Sequence, residues 1–575
     1  MLFHSQEFIL LFLPVAVGVY YALARHQAAR EWWLIFASLV FYGWWDIRFV
    51  PLLAGQTIAT WLLAELAIRK GWRWPLYLAI VANLSVLGLF KYLDFGATIL
   101  AQVTGLEFAK ASLILPIGIS FYTFELVSYL VDRLRGTAPR YGFRVFGLFI
   151  ALFPHLIAGP IMRHNEIIPQ FAYDPLRTGL YERIGRGLIL FLIGFIEKFF
   201  IADQLAAIVD PVFAEATRSV PTFSLAGAGA LAFSLQIFFD FAAYSNMAMG
   251  IGLMFGFMLP VNFNVPYRAV NLRDFWRRWH ITLSRWLRDY VYIPLGGSRE
   301  GVPVYIWATL VTMGLCGLWH GAGWTFILWG LGHGIGLLVC RFWQSYGPPL
   351  PTLAAWAITL TFVVLLFVLF RAPDFSAAAN MFAGLMGQGG PGALWPAATL
   401  VPILIAGAIA LFKVPTYEWA MRIQPSWPVA IGFVAIAVFA VLEVGQGAPV
   451  SFIFPVLAAR GEERLQQRRG FALVQAADHF RRVVAGRLRE ETRAVLDRAA
   501  FGIWRAEIKP PNAGEGDGGG AHGARLERDI EVAIDEPFAA EPGAGLADGE
   551  QFRMRRGIVQ ANGAIAGPGQ DFTRA

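Results

Sequence analysis

The sequence predicts an all-α protein that crosses a membrane many times, and three observations predict it. Of its 575 residues 57% are apolar and 15% charged, where a soluble domain carries roughly 25% charged residues. The charges are segregated: residues 301–340 and 342–370 contain no Asp, Glu, Lys or Arg. Uncharged apolar runs of about 20 residues match the ~30 Å hydrocarbon thickness of a bilayer. A large soluble protein is excluded, because it would need far more solvent-facing charge. The formal net charge of +7 does not point to nucleic acid. Its arginines lie between apolar spans, where the bias of basic loops toward the cytoplasm accounts for them.

The apolar segments fall, in order, near 6–24, 32–66 (room for two), 74–93, 111–130, 145–160, 183–204, 224–260, 302–320, 322–340, 353–370, 399–413 and 428–443. With splits and short pieces, roughly 11–13 membrane segments are expected. The start, MLFHSQEFILLFLPVAVGVYYAL, has no basic region before its apolar run and no small-residue cleavage site. It reads as a first membrane helix, not a removed signal peptide. Short or polar segments are expected to enter the membrane without crossing it, where protein or a cavity covers the backbone. Cys316 and Cys340 both lie in apolar stretches and read as packing residues; two isolated thiols make neither a disulfide framework nor a zinc cluster. The membrane domain is expected over 1–457, a charged helical segment over 458–500 and a polar disordered tail over 501–575, which holds GEGDGGG. No internal repeat stands out.

Between the spans, the densest basic loop is 268–300, placed on the cytoplasmic side. Its core, FWRRWHITLSRWLRDYVYIPLGG, starts at Phe275. Read as one helix over 275–292, it puts Arg278 and Arg285, seven apart, on one face. Two readings stay open. Arg and Trp together suit an interfacial helix whose guanidinium groups snorkel to water. Arg277, Arg278, Arg285 and Arg288 also suit an anion-binding mouth, since guanidinium matches phosphate with two parallel hydrogen bonds. A phosphate-bearing acyl carrier such as CoA or a pantetheine arm would dock there.

The next stretch, 301–336, carries His320 and His333 and no formal charge. An ionisable group in a membrane segment is costly and usually faces a cavity or partner. Gly317, Gly321, Ala322 and Gly323 flank His320 and permit a broken helix there. A neutral imidazole so placed can take a hydroxyl proton; the alternative is a packed histidine bonded to a neighbouring helix. His333 lies thirteen residues on, about 220° round an ideal helix, so it shares no face with His320 unless the chain breaks between them. With no Asp, Glu or further His in 301–336, this segment alone is not a metal site, and no G-x-S-x-G marks a serine nucleophile.

Taken together, FWRRWHITLSRWLRDYVYIPLGG and GLWHGAGWTFILWGLGHG resemble the membrane-bound O-acyltransferase (MBOAT) family. The resemblance is strongest to the bacterial branch of alginate O-acetylation and teichoic acid D-alanylation. The MLFHSQEFILLFLP start, FYGWW, FKYLDF, LPIGISFYTFELVSYLVD, FPHLIAGPIMR, EKFFIAD, QIFFDFAAYSNMAMGIG, NFNVPYRAVN, FRAPDF and SFIF agree with it in order, over roughly 1–455. The resemblance implies a helical bundle around a central cavity joining the two sides of the membrane. It implies His320 as catalytic histidine and His280 as the second characteristic polar position. Asp289, Trp319, Asp240 and Tyr244 join the four arginines as substrate-binding candidates; Asp289 could equally pair with Arg285 or Arg288. Two positions depart from the pattern: Asn246 stands where the branch has an acid, and Asn271 where serine is commoner.

The implied activity is O-acetyl transfer in the inner membrane, with no bound cofactor and acetyl-CoA as co-substrate. A periplasmic acetyltransferase partner then passes the acetyl group to an exported, alginate-like polysaccharide. D-alanyl transfer from an acyl carrier protein is the neighbouring alternative. A transporter or a structural export subunit are the others, though no pair of similar halves marks a transporter.

Overall fold

The computed structural model describes residues 1–423 apart from 107, 109 and 413, together with 431, 432 and 435. The segments expected at 428–443, 458–500 and 501–575 lie outside the described residues but for those three positions. Nineteen helices run through the described residues, with no strand among them. In order they are α1 (Leu13–Ala22), α2 (Gln27–Gly43), α3 (Val50–Lys70), α4 (Trp74–Thr104), α5 (Ile119–Leu134), α6 (Phe143–Ala151), α7 (Phe153–Leu156), α8 (His164–Ile167), α9 (Leu180–Ile196) and α10 (Asp203–Ala216). There follow α11 (Phe223–Met254), α12 (Leu272–Arg278), α13 (Ile281–Leu287), α14 (Val302–His320), α15 (Trp324–Tyr346), α16 (Thr352–Arg371), α17 (Phe375–Leu385), α18 (Ala397–Phe412) and α19 (Thr416–Arg422). π-helical turns join α9 to α10 (Glu197–Ala202) and extend α13 (Arg288–Tyr292).

Six of these helical stretches are long and apolar enough to span a membrane: Ile47–Lys70, Trp74–Thr104, Phe223–Met254, Val302–His320, Trp324–Tyr346 and Thr352–Arg371. The pair α18–α19, bent by 72°, makes a seventh if the two helices together form one broken span. The protein is therefore multi-pass. The number of spans among the described residues is smaller than the 11–13 segments expected, because several apolar runs fold as shorter pieces. The run at 145–160 is cut at Leu152 (ψ 109°), since Pro154 has no N–H to continue α6 and fits only the first turn of a new helix, α7. The run at 111–130 becomes α5, 16 residues long and buried without interruption from Ile119 to Leu130. Such a helix belongs to the protein interior and not to the lipid face.

The long helices divide by burial. α11 is enclosed, with nearly every side chain from Ala226 to Met254 buried. It packs backbone to backbone on α9: a Cβ at Gly194 would lie 2.5 Å from the Ala243 carbonyl oxygen, and one at Gly187 2.7 Å from that of Gly250. Small residues at such crossings let membrane helices gain van der Waals contact where lipid offers no hydrophobic driving force. α4, by contrast, leaves Leu78, Val81, Leu84, Leu89 and Leu93 exposed, a face suited to hydrocarbon.

The hairpin α14–α15 is drawn together in the same way. A Cβ on Gly330 would stand 2.1 Å from the Met313 carbonyl oxygen, and one on Gly317 2.1 Å from that of Phe326. Gly330→Val is therefore expected to force the hairpin open. A clash with backbone has no side chain that can yield, so the loss should exceed the ~1–3 kcal/mol typical of overpacking. A thermal melt of detergent-solubilised protein checks it: the midpoint should fall by many degrees, and an unchanged midpoint would contradict the close crossing.

Candidate active site

His320 is the last residue of α14, and the chain then extends through Gly321 and Gly323 before α15 begins. The helix stops here because Gly321 adopts extended backbone (φ −161°, ψ 149°) and its turn is filled by the Phe326 ring, 2.2 Å from where a Cβ would be. His320 as a residue is only partly buried. Aromatic rings wall it in: Trp319 at 4.8 Å, Trp329 at 5.2 Å and Phe370 at 5.2 Å between centroids. The ring of His280 lies 6.5 Å away. The two histidines that the sequence singles out, forty residues apart, thus face one chamber. Trp319 is part of its wall, stacked on Phe124, which stacks in turn on Trp286.

His280 owes its place to a break in the basic loop. The single helix expected over 275–292 is not formed: α12 ends at Arg278, and His280 takes left-handed backbone (φ 42°, ψ 55°) before α13 starts. The correction has a physical cause. Residues 262–264 run alongside the break, with Asn264 N–H donating to the Arg278 carbonyl and Ile281 N–H to that of Asn262 (2.8 and 2.9 Å). The Asn262 side chain closes the arrangement. Its Oδ1 accepts from Thr282 N–H (3.3 Å) and Thr282 Oγ1 (3.0 Å) and lies 3.1 Å from His280 Nδ1. A backbone N–H can only donate, so the Asn262 atom facing it is the oxygen, and His280 Nδ1 must carry the proton. That leaves a lone pair on Nε2, which is buried with no hydrogen-bond partner among the described residues. A buried acceptor without a partner is costly, and this one is placed to receive a substrate O–H or N–H.

The arginines are largely engaged in ion pairs. Arg278 pairs with Asp274 (2.8 Å), Arg285 with Glu166, and Arg288 with Asp289 (2.6 Å). Arg278 and Arg285 lie on different helices and share no face. Asp289 also accepts from Arg163 (2.6 Å), so of its two expected partners it takes Arg288 and not Arg285. Tyr290 is flanked by the guanidinium groups of Arg135 and Arg163, each 5.3 Å from its ring centre, and its hydroxyl donates to Asp132 (2.7 Å). Arg277 and Arg288 are the exposed members of the set. The loop is thus a cross-linked floor with a few outward-facing cations.

Asp240 and Tyr244 are buried residues of α11 engaged with other parts of the bundle. Asp240 lies 3.3 Å from Lys198, which also pairs with Asp203; Tyr244 stacks on Phe3 at 4.5 Å. Phe241 is the residue of that stretch that reaches the chamber, edge-on to His280 at 4.6 Å. Both departures from the family pattern find a partner. Asn246 donates to Glu197 (2.7 Å), which a carboxylate could not do. Asn271 caps α12 by accepting from Asp274 N–H (2.9 Å), a task serine performs equally well. His333 is buried against Trp329, 4.9 Å between ring centres, and Trp329 in turn contacts His320 at 5.2 Å. Among the described residues, no group of three or more His, Cys, Asp or Glu could hold a metal ion.

Residues that sequence reading did not single out complete the site. Asn262 lies within the quoted NFNVPYRAVN, but only the fold shows that it sets the tautomer of His280. Lys91 and Tyr92, inside FKYLDF, reach the carbonyls at the end of α14. Arg163 and Glu166 pair with Asp289 and Arg285 across more than a hundred residues of sequence, a separation at which no local signal operates.

An all-α bundle with a histidine at a broken span defines the class, and the comparisons define the family. The model of the membrane-bound O-acyltransferase family matches residues 101–376. The "Probable alginate O-acetylase AlgI" of Pseudomonas aeruginosa is 42% identical over 401 residues, covering 68% of this chain and 75% of its own length. The peptidoglycan O-acetyltransferase of Helicobacter pylori is 38% identical over 429 residues, covering 68% of this chain and 80% of its own. More distant is the teichoic acid D-alanyltransferase of Streptococcus thermophilus, 27% identical over 350 residues, with 58% and 80% covered. The chain belongs to the membrane-bound O-acyltransferase family, and it is a multi-pass membrane acyltransferase.

Proposed function

We propose that this protein takes an acetyl group from acetyl-CoA at the cytoplasmic face of the inner membrane and passes it outward for O-acetylation of an exported polysaccharide. The observation that carries this reading is the placement of His320 beside His280 in an aromatic chamber at the end of a broken span. Higher identity to O-acetylating relatives than to a D-alanyltransferase favours acetyl over D-alanyl. Neutral His320 accepts the proton of an acceptor hydroxyl as its oxygen attacks the thioester carbonyl. The carbon–sulfur bond breaks, and the imidazolium returns the proton to the departing thiolate. An ester and a free thiol result. His280, through its Nε2 lone pair, holds a donor group of one substrate. The aromatic walls exclude water that would otherwise hydrolyse the thioester. A periplasmic acetyltransferase partner carries the group to an alginate-like polymer.

Membrane vesicles supplied with radiolabelled acetyl-CoA on the side of the basic loop test the donor. Ester-linked, hydroxylamine-labile label should appear, and only when the donor is on that side. No label from acetyl-CoA, but label from a D-alanyl carrier protein, would replace the donor with the neighbouring one. Arg277, an exposed cation of the loop, gives a second expectation. Arg277→Glu should raise KM for the CoA thioester about tenfold at unchanged kcat, since a rim charge acts on encounter and not on chemistry. An unchanged KM would remove Arg277 from the phosphate path.

A further inference from the structure

The end of α14 poses a hydrogen-bonding problem that a neighbouring helix solves. The last four carbonyls of any helix lack partners within it, and here they belong to the turn that carries His320. Gly317 is satisfied by Gly321 N–H (3.3 Å). The Leu318 carbonyl accepts from the Tyr92 hydroxyl (2.9 Å), and the Trp319 carbonyl from Lys91 Nζ. Both donors are consecutive residues of α4. The Lys91 ammonium also reaches Ser120 Oγ (3.4 Å) and lies 5.6 Å from the centre of the Trp319 ring. Asp94, one turn further along α4, is occupied by the backbone N–H groups of Ala111 and Ser112 (2.8 and 3.1 Å).

A lysine in a membrane-spanning helix is costly and calls for a function. A cation at a helix C-terminus is also where the helix dipole favours it. The opposite side of the same turn is fixed by the Gly317–Gly330 crossing with α15. We infer that Lys91 and Tyr92 are positioning residues for His320: they clamp the two carbonyls preceding it and set the direction in which its imidazole enters the chamber. This inference rests on the acyltransferase reading of His320. Neither residue needs to touch substrate. The clamp acts on the geometry of proton transfer, where a displacement of about 1 Å can cost about a hundredfold in rate.

The test is thiol release from acetyl-CoA by the full-length protein in lipid nanodiscs, with folded protein measured by thermal melt. Wild type, Lys91→Met, Lys91→Arg, Tyr92→Phe and His320→Ala are compared. Lys91→Met should lower kcat by ~10–100-fold with KM within about twofold of wild type. Tyr92→Phe, which removes one hydrogen bond, should lower it by ~3–10-fold. Lys91→Arg, which can still donate to the Trp319 carbonyl, should recover part of the lost rate. Full kcat in Lys91→Met and Tyr92→Phe overturns the clamp, as does a change confined to KM, which would make Lys91 a donor-binding residue. If Lys91→Met does not fold, Tyr92→Phe and Lys91→Arg decide: wild-type kcat per folded molecule in both overturns the clamp. Thiol release that His320→Ala leaves at the wild-type rate overturns the acyltransferase reading of His320 and the clamp together.

Discussion

His320→Ala is expected to lower acyl transfer by about 10²–10⁴-fold, the range in which a positioned general base contributes. The protein should remain folded and equally abundant. His320 ends a helix and is only partly buried, so its truncation removes ring contacts with Trp319, Trp329 and Phe370 but leaves no buried polar atom behind. Thioester binding should persist, because no arginine of the basic loop depends on this ring. The signature is therefore a fall in kcat with KM little changed. Single-turnover thiol release with purified protein measures it. Loss in proportion to a loss of folded protein would instead mark His320 as a packing residue.

The second large effect concerns the pair His280 and Asn262. His280→Ala should cost about 10²-fold in turnover if Nε2 holds a reacting or binding group. Asn262→Leu should approach that loss without touching the chamber. It strips His280 Nδ1–H and the Thr282 hydroxyl of their acceptor, frees the imidazole to adopt the other tautomer and leaves buried donors unpaired, at about 1–3 kcal/mol of stability for each. Because both changes act through the Nε2 lone pair, they should not add. The double variant should be no slower than His280→Ala by more than about twofold, the criterion of a coupled pair. Fully multiplicative losses would show that Asn262 acts elsewhere.

Legibility in the sequence followed how local each feature is. The uncharged runs at 302–320 and 353–370 became α14 and α16 almost residue for residue, because hydrocarbon thickness and charge exclusion act along the chain, while the run at 322–340 became α15, which continues through Arg341 to Tyr346. The glycines after His320 announced the broken span. The break at His280 was not announced: Trp279 and His280 carry no Gly or Pro signal, and the turn is held by residues 262–264, which only the fold brings alongside. The arginines read as phosphate ligands were visible as a cluster, but the pairing of Arg285 with Glu166 and of Asp289 with Arg163 depends on contacts that only the fold creates. Lys91 and Tyr92 stood in a noted motif, yet their role depends on α4 lying beside a helix end more than two hundred residues away. Asp240 illustrates the converse, a conspicuous buried acid whose ion pair with Lys198 joins helices.

The most direct measurement is the ester content of surface polysaccharide in a strain lacking this gene, complemented with wild type or His320→Ala at matched membrane abundance. Acetate released by mild base would be quantified against sugar. The account requires that wild type restore O-acetyl and that the variant leave it at the level of the deletion. Full restoration by His320→Ala would contradict it.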